Sequence, residues 1–140
     1  MTDTQDDRAL MDAVVQLSFE VMAVLHQVGA AHDLSATQLR LLGVLRDREP
    51  RMADLADGLG LDRSTVSGLI DRAAARGLVE RFPDEHDRRS SRVRMTAAGH
   101  ELAVPVAAAV AERVAALVEP LSRADRATLR ALVERALAAW

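Results

Sequence analysis

The hydrophobic residues at both ends of the chain recur in steps of three and four. This is the spacing of one face of an α-helix, and it predicts amphipathic helices over residues 8–31, 97–119 and 122–140. Pro105 lies inside the second of these segments, so a kink or a late helix start is expected there. The three apolar stripes are Leu10, Val14, Leu17, Val21, Leu25 and Val28; then Leu102, Val106, Val110, Val114 and Leu117; then Leu129, Leu132, Val133, Ala136, Leu137 and Trp140.

The middle of the chain predicts three shorter helices with local start and stop signals. Ser35 and Gln38 form a capping box for the first, and Asp62 is a good N-cap for the third. The turn "GLGLD" separates the second helix from the third, and Gly77 follows the third where a left-handed residue is needed. The predicted helices cover residues 35–48, 52–59 and 62–76.

Two short stretches of alternating polarity follow, "LVERF" and "RVRM", joined by "PDEHDRRSS". They predict a β-hairpin in which Val93 and Met95 point inward while Arg92 and Arg94 point outward. Helix, short helix, glycine turn, helix and hairpin in this order predict a winged helix-turn-helix domain over residues 35–96. The fold class is therefore mainly α with a small β-hairpin wing.

The apolar stripes of the terminal helices are too extensive for one chain of 140 residues to bury alone. We therefore expect residues 8–31 and 97–140 to form the helical dimerisation region of a homodimer.

A basic segment lies within an otherwise acidic chain. Residues 1–62 carry 5 arginines against 11 acids, whereas residues 63–94 carry 8 arginines against 5 acids. Such a local excess indicates contact with a polyanion at one surface. All 18 basic residues are arginine. GC-rich coding is the simplest explanation, and a preference for bidentate phosphate and guanine contacts is the functional alternative.

The predicted helix after the glycine turn has one apolar face and one small, polar face. The apolar face consists of Val66, Leu69, Ile70 and Ala73. The opposite face carries Ser64, Ser67, Gly68 and Asp71, flanked by Arg63, Thr65 and Arg72. Small hydroxyl side chains near a helix N-terminus allow the backbone to approach base edges and phosphates. Ordinary polar capping explains this segment equally well when it is considered alone.

The hairpin places acids at its root and arginines at its tip. Asp84 favours the turn after Pro83, and Asp87 can hold a neighbouring guanidinium. Arg88 and Arg89 at the tip can reach a phosphate ridge or a narrow minor groove. A solvated charged loop is the alternative. The position of this loop directly after a helix-turn-helix favours a wing.

The stretch "DLADGLGLDRSTVSGLIDRAAARGLVERFPDEHDRRSSRVRMTAAG" resembles the core of the MarR family of bacterial transcriptional regulators. The wing carries the most specific match. Asp87 and Arg89 are followed by Met95-Thr96-x-x-Gly99, where the family usually has Leu-Thr-x-x-Gly. The flanking helices also fit. The resemblance implies a homodimer on a pseudo-palindromic operator, a recognition helix in the major groove and a wing arginine in the minor groove.

Position by position, the resemblance assigns the wing contact to Arg89, with Arg88 beside it. It assigns recognition-helix contacts to four further residues, Ser64, Thr65, Ser67 and Arg72. Gly68 stands where many members have a larger polar or basic side chain, which implies a different operator. The predicted DNA-binding residues are Arg63, Ser64, Thr65, Ser67, Gly68, Arg72, Arg88, Arg89 and Arg92.

Other kinds of site have little support in the sequence. Cysteine is absent, which excludes disulfides and thiol sensing, and His100 and Glu101 are adjacent and do not share a helix face. The histidines are scattered at His26, His32, His86 and His100. We expect no metal site, no cofactor and no catalytic constellation. No run of about 18 uncharged apolar residues and no signal peptide is found. We therefore expect a cytoplasmic protein without a membrane segment.

The resulting expectation is a DNA-binding transcriptional regulator, with repression as the simplest mode, released by a small aromatic or acidic effector. In the resembling family, effectors bind between the dimerisation helices and the winged helix. Candidate pocket residues are Met11, Phe19, Met22, His26 and His32, although an ordinary core or solvent-facing role is the simpler interpretation of each one. An acidic effector needs a cation such as Arg40 or Arg46, or the helix start at Ser35. The rival functions are a winged-helix protein-interaction module without DNA binding and an enzyme. Exposed arginines at positions 88, 89 and 92 favour DNA binding.

Overall fold

Residues 2–138, which a computed structural model describes, contain six helices and one antiparallel hairpin in the predicted order. The elements are α1 Thr2–Ala31, α2 Ala36–Leu45, α3 Met52–Leu59, α4 Arg63–Ala75, β1 Val79–Pro83, β2 Ser91–Met95, α5 Ala97–Val118 and α6 Arg123–Leu137. The mainly α fold with a β-hairpin wing is confirmed. Trp140, the last member of the predicted C-terminal stripe, lies outside the described residues.

The helix boundaries follow from local capping. Ser35 accepts a hydrogen bond from the backbone N–H of Gln38, and the Gln38 side chain accepts one from the N–H of Ser35. Gly60 and Gly77 adopt left-handed conformations, with φ of 65° and 74°, as a chain turning out of a helix requires. These features confirm the predicted capping box and the two glycine turns.

The start of α1 differs from the expectation, whereas α5 begins at Ala97 as predicted. α1 starts at Thr2, six positions before the predicted start at residue 8, because the polar segment in front of the apolar stripe is helical too. α5 starts at Ala97, capped by Thr96, so a late start at Pro105 is wrong. Pro105 is exposed. Water can therefore reach the carbonyl that its missing N–H leaves unpaired.

The hydrophobic core lies within the winged helix and is completed by residues of α1 and α5. Val79 pairs with Met95 at one end of the hairpin and Pro83 pairs with Ser91 at the other. Val93 and Met95 are buried, as predicted, and the N–H of Val93 donates to the carbonyl of Pro50. The two longest helices each place one buried valine in this core, Val28 in α1 and Val106 in α5.

Gly99 marks the closest approach of α5 to the hairpin. A Cβ atom at this position would collide with the backbone carbonyl of Leu78 and lie 2.5 Å from Cγ of Met95. The glycine of the Met-Thr-x-x-Gly motif is therefore a packing requirement between the winged helix and the helix that follows it.

Gly99→Ala is expected to lower the free energy of unfolding by about 2–3 kcal/mol, because a backbone carbonyl cannot move aside as a flexible side chain can. Gly58→Ala is the matched control. Gly58 is also helical, but a methyl group added there would meet no other described residue within 4 Å beyond its own helical turn. That change should raise stability by about 0.5 kcal/mol through helix propensity. Urea denaturation measures both, and equal stability of Gly99→Ala and the wild type contradicts the packing argument.

Candidate nucleic-acid interface

The N-terminus of α4 is organised by Asp62. Its Oδ1 accepts hydrogen bonds from the N–H of Thr65 at 2.8 Å and from the hydroxyl of Ser64 at 2.6 Å. Its Oδ2 accepts from the Thr65 hydroxyl at 2.8 Å. The bond from Ser64, followed by those from Thr65, lowers the pKa of Asp62 to about 2. Both hydroxyl protons point toward Asp62, so Ser64 and Thr65 present acceptor lone pairs to the outside.

Asp62→Ala is expected to lower the Tm by roughly 5 °C at pH 7, since the cap and its two hydroxyl partners are lost together. The folded pKa lies below the ordinary value of 3.8. The stabilisation is therefore fully present above about pH 4 and is lost as the pH falls toward 2. Thermal unfolding of the free protein across this range should show the wild-type and variant curves converging. Asp57→Ala, at an exposed acid near the end of α3, is the control, and a gap that persists at pH 2 contradicts the assignment.

The two faces of α4 separate as the sequence predicted. The four apolar residues Val66, Leu69, Ile70 and Ala73 are all buried. On the other face Ser64 and Thr65 are exposed, and Ser67 and Gly68 are partly buried. A Cβ atom at Gly68 would lie 3.3 Å from Nη1 of Arg72. The Arg72 guanidinium thus occupies the space above Gly68, so the absent side chain at position 68 is replaced by an arginine from the next turn.

A cleft of about 600 Å³ separates α4 from the hairpin. Its lining includes four arginines against two acids, Asp54 and Asp87. The four arginines are Arg51, Arg63, Arg81 and Arg89. A positive groove between a helix and a hairpin suits a nucleic-acid backbone. The planar guanidinium group of arginine can form two hydrogen bonds to one phosphate. Arg51 and Arg81 were not among the predicted site residues. Arg81 occupies an outward position of "LVERF", which was the available signal.

The tip of the wing presents Arg88 and Arg89 to solvent. The Arg89 side chain is 97% exposed. Asp87 accepts a hydrogen bond from the Arg89 N–H at 3.0 Å, and its Oδ1 lies 3.9 Å from Nε of Arg89. Asp87 therefore fixes the turn and holds the neighbouring guanidinium loosely, as the sequence indicated, while leaving that guanidinium free to contact a ligand.

The root of the wing is held by Asp84, which is 2% exposed. Its Oδ1 accepts from the N–H of His86, and its Oδ2 forms an ion pair with Nε of Arg51 at 2.5 Å. The His86 bond, aided by the charges of Arg51 and Arg92, lowers the pKa of Asp84 despite its burial. The predicted turn role of Asp84 is confirmed. Its burial against Arg51 was not predicted, because an acid in a charged loop is usually solvated.

Arg92 differs from the expectation of an exposed wing arginine. It is partly buried, and its Nε donates to the carbonyl of Glu49 at 2.8 Å. Arg94, also expected to point outward, pairs with Glu80 at 2.6 Å and lies over the ring of Phe82. Each arginine leaves the hairpin on the outer side but is engaged within the winged helix, so the most accessible positive charge of the hairpin lies at Arg88 and Arg89.

The sequence is similar to a MarR family model and to HTH-type transcriptional regulators. A family model described as MarR family matches residues 32–90. The HTH-type transcriptional regulator PecS of Dickeya dadantii is 29% identical over 124 residues, which cover 86% of this chain and 75% of PecS. The HTH-type transcriptional repressor NicR of Pseudomonas putida is 35% identical over 81 residues, which cover 57% of this chain and about half, 51%, of NicR.

Solved structures share the fold. Wild-type E. coli MarR in its apo form superimposes with a TM-score of 0.79 at 23% identity, covering 91% of this chain and 96% of that one. A mutant of E. coli MarR complexed with operator DNA superimposes with a TM-score of 0.76 at 23% identity, covering 92% and 94%. Residues 32–90 thus match the MarR family model, and the arrangement of α4, wing and flanking helices is the fold of the solved MarR structures.

Proposed function

We propose that the protein is a repressor that binds a pseudo-palindromic operator as a homodimer and is released by a small ligand. The observation that carries this proposal is the single surface formed by the polar face of α4, the arginine-lined cleft and the two solvent-exposed wing-tip arginines. α4 fits a major groove and the wing fits the adjacent minor groove. The similarity to NicR, a transcriptional repressor, agrees with this mode of action.

The proposed contacts divide by their position on this surface. Arg88 and Arg89 supply affinity at the wing, while the recognition helix supplies sequence choice. The recognition-helix residues are Arg63, Ser64, Thr65, Ser67, Gly68 and Arg72. Arg92 supports the root of the wing through Glu49 rather than reaching DNA from the tip.

The proposed dimer uses the terminal helices. Within the described part of the chain, the exposed large apolar side chains lie on α1, α5 and α6: Leu10, Met11, Val14, Val15, Leu17, Phe19, Met22, Val104, Leu132, Val133 and Leu137. α6 buries none of the residues for which burial is described. The segment Thr4–Ala31 is long and apolar enough to cross a membrane by length and composition. A helical dimer interface accounts for that apolar surface in a cytoplasmic regulator.

A cavity of about 360 Å³ between α1, α2 and α5 is the proposed effector site. Its lining is almost entirely apolar and includes Leu25, Leu42 and Val110, with Arg46 as the one charged residue among the described residues that line it. This volume suits a small aromatic molecule, and Arg46 suits an acidic group. Arg40 instead donates to the carbonyls of Gly58 and Leu59.

The residues suggested from sequence, which lie on α1 or just after it, do not line this cavity. The residues in question are Met11, Phe19, Met22, His26 and His32. Nδ1 of His32 hydrogen-bonds to the carbonyl of Val28 in the last turn of α1. Of the described residues of α1, only Leu25 belongs to the lining.

Selection from random-sequence duplexes tests the proposed function. The wild-type protein should enrich an inverted repeat whose half-sites lie about one helical turn apart. Placed over a promoter, this duplex should reduce transcription in vitro when the protein is added. Recovery of unrelated sequences, or an unchanged transcript level with the site fully occupied, contradicts repression by promoter occupancy.

Aromatic carboxylic acids are expected to raise the Tm of the free protein and to release the operator. The two effects are linked, because binding is reciprocal. A ligand that binds the free dimer more tightly than the DNA-bound dimer weakens DNA binding by that same ratio of affinities. Fluorescence anisotropy of a labelled operator and thermal shift measure them in parallel. Arg46→Gln should weaken the effect of the acids about tenfold, while Arg48→Gln, which is not part of the lining, should leave it unchanged. Acids that stabilise the protein without releasing DNA contradict the proposed switch.

A further inference from the structure

Arg81 joins the wing to the DNA-facing side of the recognition helix. It lies on β1, and its Nη2 donates to three oxygens of α4. The distances are 2.7 Å to Oδ1 of Asp71, 3.0 Å to Oγ of Ser67 and 3.3 Å to the carbonyl of Ser67. The Arg81 side chain is 36% exposed and lines the cleft, so this junction lies within the proposed DNA-binding surface.

The contact determines which part of the Ser67 hydroxyl remains available. A serine hydroxyl has one proton and two lone pairs. Arg81 occupies an acceptor position on Oγ, so the proton is left to donate outward. In the major groove its partners are the acceptors N7 and O6 of guanine, N7 of adenine and O4 of thymine.

Ser64 and Thr65 have the opposite polarity. Their protons are donated to Asp62, so they offer acceptors that fit the amino groups of cytosine and adenine. Two residues that do not read DNA themselves, Asp62 and Arg81, thus set the hydrogen-bonding polarity of the hydroxyls along α4.

Asp71 is the second partner of Arg81 and lies on the same face of α4. Its side chain is 69% exposed, and an unpaired carboxylate there repels the phosphates of a bound duplex. The pair with Arg81 removes this repulsion at the surface where DNA is expected. The ion pair therefore matters for binding even though exposed ion pairs add little to folding stability.

We propose that Arg81 is a positioning and specificity-determining residue, which orients Ser67 as a hydrogen-bond donor toward the operator and neutralises Asp71. This inference rests on the proposed function. It assigns to Arg81 an effect on base choice that a direct phosphate contact does not have.

The test uses the duplex recovered from random-sequence selection and a series of single base-pair changes within it. Arg81→Gln is expected to weaken binding to the selected duplex about tenfold and to lose discrimination at the same base pairs as Ser67→Ala. The double variant Ser67→Ala/Arg81→Gln should lose no further discrimination there. Asp71→Asn combined with Arg81→Gln should recover most of the lost affinity, because the unpaired carboxylate is gone.

Two further variants control for folding and charge. Arg81→Lys keeps the charge but lacks the planar guanidinium group. It should therefore keep operator affinity within about threefold of the wild type, but lose discrimination at the base pairs that Ser67→Ala affects. Arg94→Gln removes a comparable ion pair, with Glu80, that lies within the hairpin and does not touch α4. It should leave base choice unchanged. If thermal unfolding shows that Arg81→Gln is not folded, the Arg81→Lys variant tests the inference alone.

Uniform weakening on every duplex by Arg81→Gln, with a salt slope smaller by about 0.9, overturns the inference and makes Arg81 a phosphate contact. Loss of discrimination at base pairs unaffected by Ser67→Ala overturns it as well. Wild-type protein that enriches no duplex overturns the proposed function and this inference together, so the two failures are distinguishable.

Discussion

Arg89→Ala is expected to weaken operator binding by roughly 10- to 100-fold and to do so for every operator variant alike. The Arg89 side chain is 97% exposed in the free protein, so its loss costs no internal packing. Contacts to phosphates and to the minor groove are largely insensitive to sequence. The dependence of affinity on salt should therefore become shallower by about one unit per lost phosphate contact. Fluorescence anisotropy at several salt concentrations measures both quantities.

Three further variants serve as comparisons for Arg89→Ala. Arg8→Ala removes the same charge at the start of α1, outside the winged helix, and should leave affinity nearly unchanged. Ser67→Ala and Arg72→Ala should instead alter the ranking of operator variants, because both residues are proposed to contact the major groove. Unchanged affinity of Arg89→Ala at low and high salt contradicts the proposed role of the wing.

Leu132→Glu/Leu137→Glu is expected to separate the proposed dimer and to reduce operator affinity by about 10²- to 10⁴-fold. A monomer binds one half-site and loses the gain from linking two contacts in one molecule. Both leucines are exposed in the single chain, at 53% and 65%, so the change should not unfold the winged helix. Light scattering should report about twice the chain mass of 15.2 kDa for the wild type and one chain mass for the variant.

Ala131→Glu is the matched control for this experiment. It introduces a glutamate on the side of α6 roughly opposite the apolar stripe, given about 100° of rotation per helical residue. It should remain dimeric and bind DNA as the wild type does. A wild-type protein that is monomeric and folded at micromolar concentration contradicts the proposed assembly.

The sequence predicted the elements that depend on local interactions. The caps at Ser35 and Asp62 and the turns at Gly60 and Gly77 involve neighbours within a few residues, and each was located correctly. The polar start of α1 was missed because a solvated helical turn carries no hydrophobic period. The start of α5 was uncertain from sequence, since Pro105 is a strong local signal whereas the Thr96 cap becomes decisive only once the hairpin is in place.

The sequence predicted those parts of the DNA-binding site in which neighbouring residues belong to one continuous segment of the chain. The positions of the α4 faces and the wing-tip arginines followed from periodicity and order. The pairing of Arg51 with Asp84 and of Arg81 with Ser67 joins separate elements, and no local pattern records it. The proposed effector cavity lies between three helices, so its lining depends on how α1 is rotated. The periodicity of α1 placed Leu25 in the apolar stripe, but it did not indicate that this part of the stripe faces α2 and α5.

Footprinting of the selected operator is the most direct test of the central claim that α4 and the wing together bind DNA. Methylation protection reports guanine N7 in the major groove, and hydroxyl radicals report the minor groove. The wild type should protect two major-groove sites about one helical turn apart and the minor groove beside each. Arg89→Ala should lose the minor-groove protection alone. Protection confined to one groove, or an unchanged minor-groove pattern in Arg89→Ala at full occupancy, contradicts the account.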